Sequence, residues 1–150
     1  MKDFLSERQR IVASARSWLG TPYRHQASTK GVGSDCLGLI RGVWRETQGV
    51  EPEALPAYSS TWAETGGHES LLNLGGKYFY KTQNLAVGDI LVFRMRRSAV
   101  AKHVGICTQD KKFIHAYDGT SVVETWLSEF WSKCHVASFV FPSVFEKEAL

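Results

Sequence analysis

Apolar residues along the first part of the chain recur at a helical period. Leu5, Ile11, Val12, Ala15, Trp18 and Leu19 share one helix face. Ser6-Glu7-Arg8-Gln9 fits a capping box at its start, and Gly20 followed by Pro22 fits its stop. A Gly-, Ser- and Thr-rich loop is predicted from Gly20 to Ser34. A second helix is predicted from Cys36, with Leu37, Ile40, Val43 and Trp44 as its apolar face and Gly49 as its end. From Glu51 to Gly76 the pattern is irregular, broken by Pro52, Pro56 and two Gly-Gly pairs, with room for a short helix around His68 to Leu74.

Beyond that point the period changes from that of helices to that of strands. Tyr78–Tyr80, Asp89–Phe93, His103–Cys107, Phe113–Tyr117 and Ser121–Val123 read as strands, and Asp118-Gly119 is a hairpin signal. Trp126 to Trp131 reads as one or two helical turns, and Val136 to Phe141 as a last strand stopped by Pro142. Helices first and a strand meander afterwards predict an α+β fold, an antiparallel sheet with helices packed on one side. No repeat, linker or low-complexity tract divides the chain, so residues 1–150 are expected to form a single domain.

Composition narrows the function classes. At 150 residues, 43% hydrophobic and 22% charged, the chain is long and apolar enough for a real core. Its longest apolar runs fall well short of the roughly 20 residues needed to span a bilayer, so no membrane partner is expected. The net charge of +3 is spread out apart from Arg94-Met95-Arg96-Arg97, which is too sparse for a nucleic-acid stripe. The N-terminus turns charged where a signal peptide would be apolar, which predicts synthesis and folding in a reducing cytoplasm. Three cysteines, Cys36, Cys107 and Cys134, form neither a disulfide framework nor a zinc-spaced pair. No cofactor or resident metal is expected.

Cys36 stands out by position. N–H groups at a helix start carry partial positive charge, which favours a thiolate and can stabilise an oxyanion. The competing reading is a small buried cysteine. His103 and His115 lie on successive predicted strands. A tight turn near Gln109-Asp110 would place them opposite each other within about one residue of register, so that one could orient the other. Either histidine alone would read as an ordinary half-buried strand residue.

Five blocks occur in order: Gly20-Thr21-Pro22-Tyr23, Asp35-Cys36-Leu37-Gly38-Leu39, Gly88-Asp89-Ile90-Leu91-Val92-Phe93, Lys102-His103-Val104-Gly105-Ile106 and Phe113-Ile114-His115-Ala116. Together they resemble the NlpC-type cysteine peptidases, papain-like hydrolases that cut bacterial cell-wall peptides, over roughly residues 5 to 141. The resemblance implies a papain-like NlpC-type fold with the nucleophile at a helix N-terminus. It implies Cys36 as nucleophile, His103 as base, His115 as the residue orienting that base, and Tyr23 as a hydroxyl near the nucleophile. Tyr23 reads equally as an aromatic anchor of its loop. Asp35 reads as favouring the helix start, and Gly88-Asp89 as a structural turn.

The activity implied is a peptidoglycan endopeptidase acting on stem peptides at the γ-D-glutamyl to diamino acid bond, through a thiolate–imidazolium pair and an acyl-enzyme. Departures from the family pattern are Leu37 where serine is usual, Val87 where proline is usual, and the loop Arg24-His25-Gln26. With these departures the chain is most similar to peptidases encoded among tail genes of phages and gene-transfer particles. That variant implies phage-like tail proteins as partners and a particle that carries the enzyme to the target wall. Three other readings stay open: an amidase or acyltransferase with the same site, an idle structural tail-tip protein, and a zinc hydrolase built on Cys36, His103 and His115. Rapid, selective alkylation of Cys36 near neutral pH is the expected sign of a working site.

Overall fold

The computed structural model describes residues 5–52, 69–96 and 100–149. Helix α1 spans Glu7–Arg16, and Ser6 closes the predicted capping box with Gln9. Strands β1 (Ser28–Thr29) and β2 (Gly33–Ser34) form a small hairpin inside the stretch predicted as loop. Helix α2 spans Cys36–Thr47, and α3 spans Ser70–Tyr78. Strands β3 (Tyr80–Thr82), β4 (Ile90–Phe93), β5 (His103–Gln109), β6 (Lys112–Ala116) and β7 (Val122–Trp126) follow. Helix α4 (Glu129–Cys134), strand β8 (His135–Val140) and helix α5 (Pro142–Glu148) complete the chain.

Six strands make one antiparallel sheet in the order β3-β8-β4-β5-β6-β7. Side chains alternate between its faces. One face sends Ile90, Val92, Val104, Ile106, Ile114 and Ala116 into a core shared with Ile11, Ala15 and Trp18 of the first helical segment and Leu39, Ile40 and Val43 of α2. The other face sends Leu91, Phe93, Cys107 and Phe113 into a smaller cluster with Trp131 and Cys134 of α4. The expectation that all helices lie on one side is therefore corrected, because α4 folds back over the second face. Glycine sets the helix spacing in places. A Cβ at Gly42 would meet the Trp18 ring, and one at Gly75 would meet Phe139.

Several boundaries differ from the sequence reading. The helix expected to stop near Leu74 runs to Tyr78, so the strand expected at Tyr78 begins at Tyr80. The Gly75-Gly76 pair that reads as a breaker lies inside α3, where the bare backbone lets the helix approach Phe139. Trp126 closes β7, and the helix expected there begins after Ser128, whose hydroxyl caps Trp131 N–H. Pro142 follows the end of β8 and also opens α5, since proline at the first helical position loses no hydrogen bond. The His68 start of the expected short helix, most of the Glu51–Gly76 stretch and Arg97 lie outside the described residues.

Candidate active site

Cys36 is the first residue of α2 because Asp35 caps that helix. One Asp35 carboxylate oxygen accepts from Gly38 N–H at 2.7 Å and the other from Gln26 N–H at 2.7 Å. A single buried carboxylate thus holds the helix start, as the sequence implies, and also the preceding loop. Ser28 hydroxyl donates to Gly38 C=O at 2.6 Å, tying β1 to the same turn. Gly38 itself packs so closely on Ala27 C=O that a Cβ would overlap it.

The helix start is pressed against the beginning of β5. Cys36 Sγ lies 3.9 Å from Lys102 C=O, and the Val104 backbone N–H also interacts with the thiol. Cys36 thus touches main chain on both sides of His103. Helix α2 and its thiol come from one face of the sheet, while the His103 ring belongs to the other. Both lie at the end of the sheet where β5 begins.

His103 Nε2 and His115 Nδ1 are 2.7 Å apart, and His115 Nε2 is 3.0 Å from Thr125 Oγ1. The histidines are not directly opposed, which corrects the register expectation. The β5–β6 pairing matches Ile106 with Ile114, and the turn falls at Asp110-Lys111, with Lys111 at φ 62°. Continuing that register sets Gly105 opposite His115, so His103 reaches His115 on the diagonal. A Cβ at Gly105 would lie 3.2 Å from that of His115 and closer still to Phe113 and Ile114 C=O. The empty position at Gly105 makes room for the diagonal contact.

Trp131 roofs the pair, with ring centroids 5.5 Å from His103 and 5.1 Å from His115. Phe113 packs tilted against His115 with ring centroids 4.4 Å apart, and Tyr117 contacts both histidines. Sequence reasoning missed Trp131 and Thr125. No local motif marks either one, because each reaches the site from a later element.

Electrostatics follow from this enclosure. Burial pushes the Cys36 thiol up to about 12, with the Asp35 charge adding to it. The N–H groups of Cys36, Leu37 and Val104 act in the lowering direction, as the helix-start argument expects, but burial outweighs them. Burial also draws His103 down to about 3, assisted by His115, and His115 down to about 4. Burial thus favours the neutral form of both the thiol and the imidazole. Burial, then Cys36 and Asp35, push the Tyr23 hydroxyl up to about 12, so it stays a proton donor beside the thiol. Tyr23 also bridges to Ser34 and packs against the main core, so it anchors its loop as well.

Gly88-Asp89 is structural. Gly88 takes φ 86°, with a would-be Cβ 3.2 Å from Arg8 C=O. Buried Asp89 holds Arg8 at 2.7 Å and Ala86 N–H at 2.9 Å. Among the described residues, no group of three His, Cys, Asp or Glu side chains is disposed to hold a metal ion. The facing nitrogens of His103 and His115 are spent on each other, so the zinc reading has no support in the geometry. No helix among the described residues is long and apolar enough to cross a membrane.

The site thus joins a thiol at a helix start to a histidine pair on adjacent strands of a six-stranded antiparallel sheet. Residues 20–140 match the model of the NlpC/P60 family, and the chain belongs to that family. It is 31% identical over 127 residues to the murein DD-endopeptidase MepS/murein LD-carboxypeptidase of Escherichia coli K12, covering 84% of this chain and 58% of that relative. It is 29% identical over 123 residues to the gamma-DL-glutamyl hydrolase of Bacillus subtilis 168, covering 81% of this chain and 26% of that protein. Among solved structures, the NlpC/p60 domain of the peptidoglycan hydrolase SagA superposes with TM-score 0.60 at 21% identity, over 91% of this chain and all of that domain. NlpC2 of Trichomonas vaginalis superposes with TM-score 0.64 at 18% identity, over 94% of this chain and 49% of that one. These structures share the α+β fold.

Proposed function

We propose that this chain is a cysteine endopeptidase that hydrolyses the stem peptides of peptidoglycan. The observation that carries the proposal is the Cys36 thiol at the capped helix start, pressed against main chain on both sides of a histidine whose outer nitrogen is held by a second histidine. The name of the Escherichia relative, a murein hydrolase, supports a wall-peptide substrate, and that of the Bacillus relative supports a γ-glutamyl bond.

With Nε2 of His103 committed to His115, Nδ1 is the nitrogen that serves the thiol. The thiol proton passes to Nδ1 as Sγ attacks the peptide carbonyl, so the ion pair forms within the reaction and not before it. Direct transfer creates both charges side by side, which avoids the burial penalty of ionising either group alone. The oxyanion develops near the N–H groups of Cys36 and Leu37, with the Tyr23 hydroxyl, whose pKa responds to the Cys36 charge, assigned an assisting role. His103 then returns its proton to the leaving amine as the C–N bond breaks, giving a thioester. It next takes a proton from water, which attacks the thioester and frees the thiol.

The bond assigned is γ-D-glutamyl to diamino acid. A second reading, a D,D bond between stem peptides, is supported by the name of the Escherichia relative. Digestion of purified sacculi by wild type and Cys36→Ala, with product masses, tests both levels. Fragments cut at the γ-D-glutamyl bond support the first assignment, and resolved cross-links support the second. Equal digestion by Cys36→Ala overturns the mechanism. An acyltransferase would release no stem-peptide fragments, and an idle tail protein would release nothing.

The variant motifs Tyr23-Arg24-His25-Gln26 and Asp35-Cys36-Leu37-Gly38-Leu39 support a further assignment: the chain rides in the tail of a phage or gene-transfer particle and acts on the target cell's wall. Antibody detection of the chain in purified, nuclease-treated particles tests it, and absence from particles overturns it.

A further inference from the structure

The outer end of the histidine pair meets a hydroxyl that the proposed mechanism does not use. Thr125 stands on β7 opposite Phe113, on the diagonal from His115, and its Oγ1 is 3.0 Å from His115 Nε2. We infer that Thr125 is a positioning residue, its oxygen accepting the His115 Nε2 proton and so fixing which nitrogen of each histidine carries hydrogen. The inference rests on the proposed role of His103 as base.

A neutral imidazole has one N–H and one lone pair. For His103 to take the thiol proton at Nδ1, its own hydrogen must sit on Nε2. That nitrogen faces His115 Nδ1 at 2.7 Å, so His103 donates and His115 accepts. A neutral His115 that accepts at Nδ1 carries its hydrogen on Nε2, where the neighbour is Thr125 Oγ1. His115 is 1% exposed, and burial keeps it neutral, so its tautomer is the variable that matters.

The reverse chain is unproductive. If His115 held its hydrogen on Nδ1, it would donate to His103 Nε2, and His103 would carry hydrogen on the nitrogen needed as base. Once His103 is protonated the direction is forced, because an imidazolium donates from both nitrogens. His115 must then accept at Nδ1 and present N–H at Nε2. In a site roofed by Trp131 and Phe113, that N–H needs an acceptor, and Thr125 supplies it. Thr125 is only partly buried, so its own hydroxyl proton can go to water.

The test uses the full chain with Thr125→Val, which keeps shape and strand preference but removes the oxygen, and Thr125→Ser, which keeps the oxygen. Nitrogen-15 NMR of histidine-labelled protein reads the tautomers without reference to activity. Expected is a wild-type spectrum with His115 hydrogen on Nε2, retained in Thr125→Ser and shifted toward the other tautomer in Thr125→Val. On sacculi, Thr125→Val is expected to lose about tenfold in kcat at unchanged KM, with Thr125→Ser close to wild type.

The inference is overturned if wild-type His115 carries its hydrogen on Nδ1. It is equally overturned if Thr125→Val keeps the wild-type spectrum or rate, or if Thr125→Ser falls as far as Thr125→Val. Failure of the peptidase reading shows separately, as Cys36→Ala digesting sacculi at the wild-type rate.

Discussion

The two faces of the central sheet are built from the same strands by the same alternation, yet they do different work. On β5 and β6 the residues Val104, Ile106, Ile114 and Ala116 face α1 and α2, and all are buried and apolar. Their neighbours His103, Cys107, Phe113 and His115 belong to the other face, where α4 supplies a single large side chain, Trp131, as cover. The first face holds the chain together mainly by apolar area and also seats the helix that carries Cys36. The second trades part of that area for polar groups whose hydrogen bonds must all be satisfied. A two-residue period thus lets one strand serve a core and a reactive site at once.

The sharpest break in this comparison is Cys36→Ala. It is expected to lower sacculus digestion by on the order of 10³-fold or more while leaving the urea midpoint close to wild type. The opposite pattern is expected from Ile114→Ala on the core face. It removes a fully buried side chain and should cost about 2–5 kcal/mol in urea unfolding, with activity per folded molecule preserved. If Ile114→Ala also lowered kcat in the folded fraction, the two faces would not be independent.

His115→Ala probes the support of the base and is expected to lose about 10–100-fold in kcat with KM little changed. Gly105→Ala tests the shared backbone. Its Cβ would press on Ile114 C=O and Phe113 at 2.8 Å, so a loss of about 1–3 kcal/mol is expected, with a disturbed His103–His115 contact.

A further difference is expected in pH dependence. Both site histidines have folded pKa values below the free imidazole value, so the unfolded chain binds protons first as pH falls. Their share of stability is present above about 6.5 and is lost as pH falls through about 4 and then about 3. Cys36 is raised, so its share is lost as pH rises above about 8.5 toward 12. His115→Gln should flatten the acid limb of a stability–pH curve, whereas Ile114→Ala should lower the curve without changing its shape.

The local signals in the sequence were those that act over a few residues. The capping box at Ser6, the cap at Asp35, the turn at Asp118-Gly119 and the period-two strands all operate within one element, and each is where the residues place it. The resemblance named a thiol and two histidines, and the fold brings that thiol and those histidines to the same end of the sheet. Signals failed where a distant partner overrides local preference. Gly75-Gly76 reads as a break but lies within a helix, where Gly75 packs so closely on Phe139 that a Cβ would overlap it.

By itself, then, the sequence determined the helix bearing Cys36, the strands bearing His103 and His115, and the family to which they belong. Only the tertiary structure decided the diagonal meeting of the two histidines, which depends on a strand register set by the turn at Asp110-Lys111 and on the empty position at Gly105. It alone brought Trp131 and Thr125 to the pair, since each arrives from an element placed by packing and not by any neighbouring residue. It also sets burial against the helix start at Cys36. A helix start favours a thiolate, but burial favours the neutral thiol more strongly, and burial is a property of the whole fold.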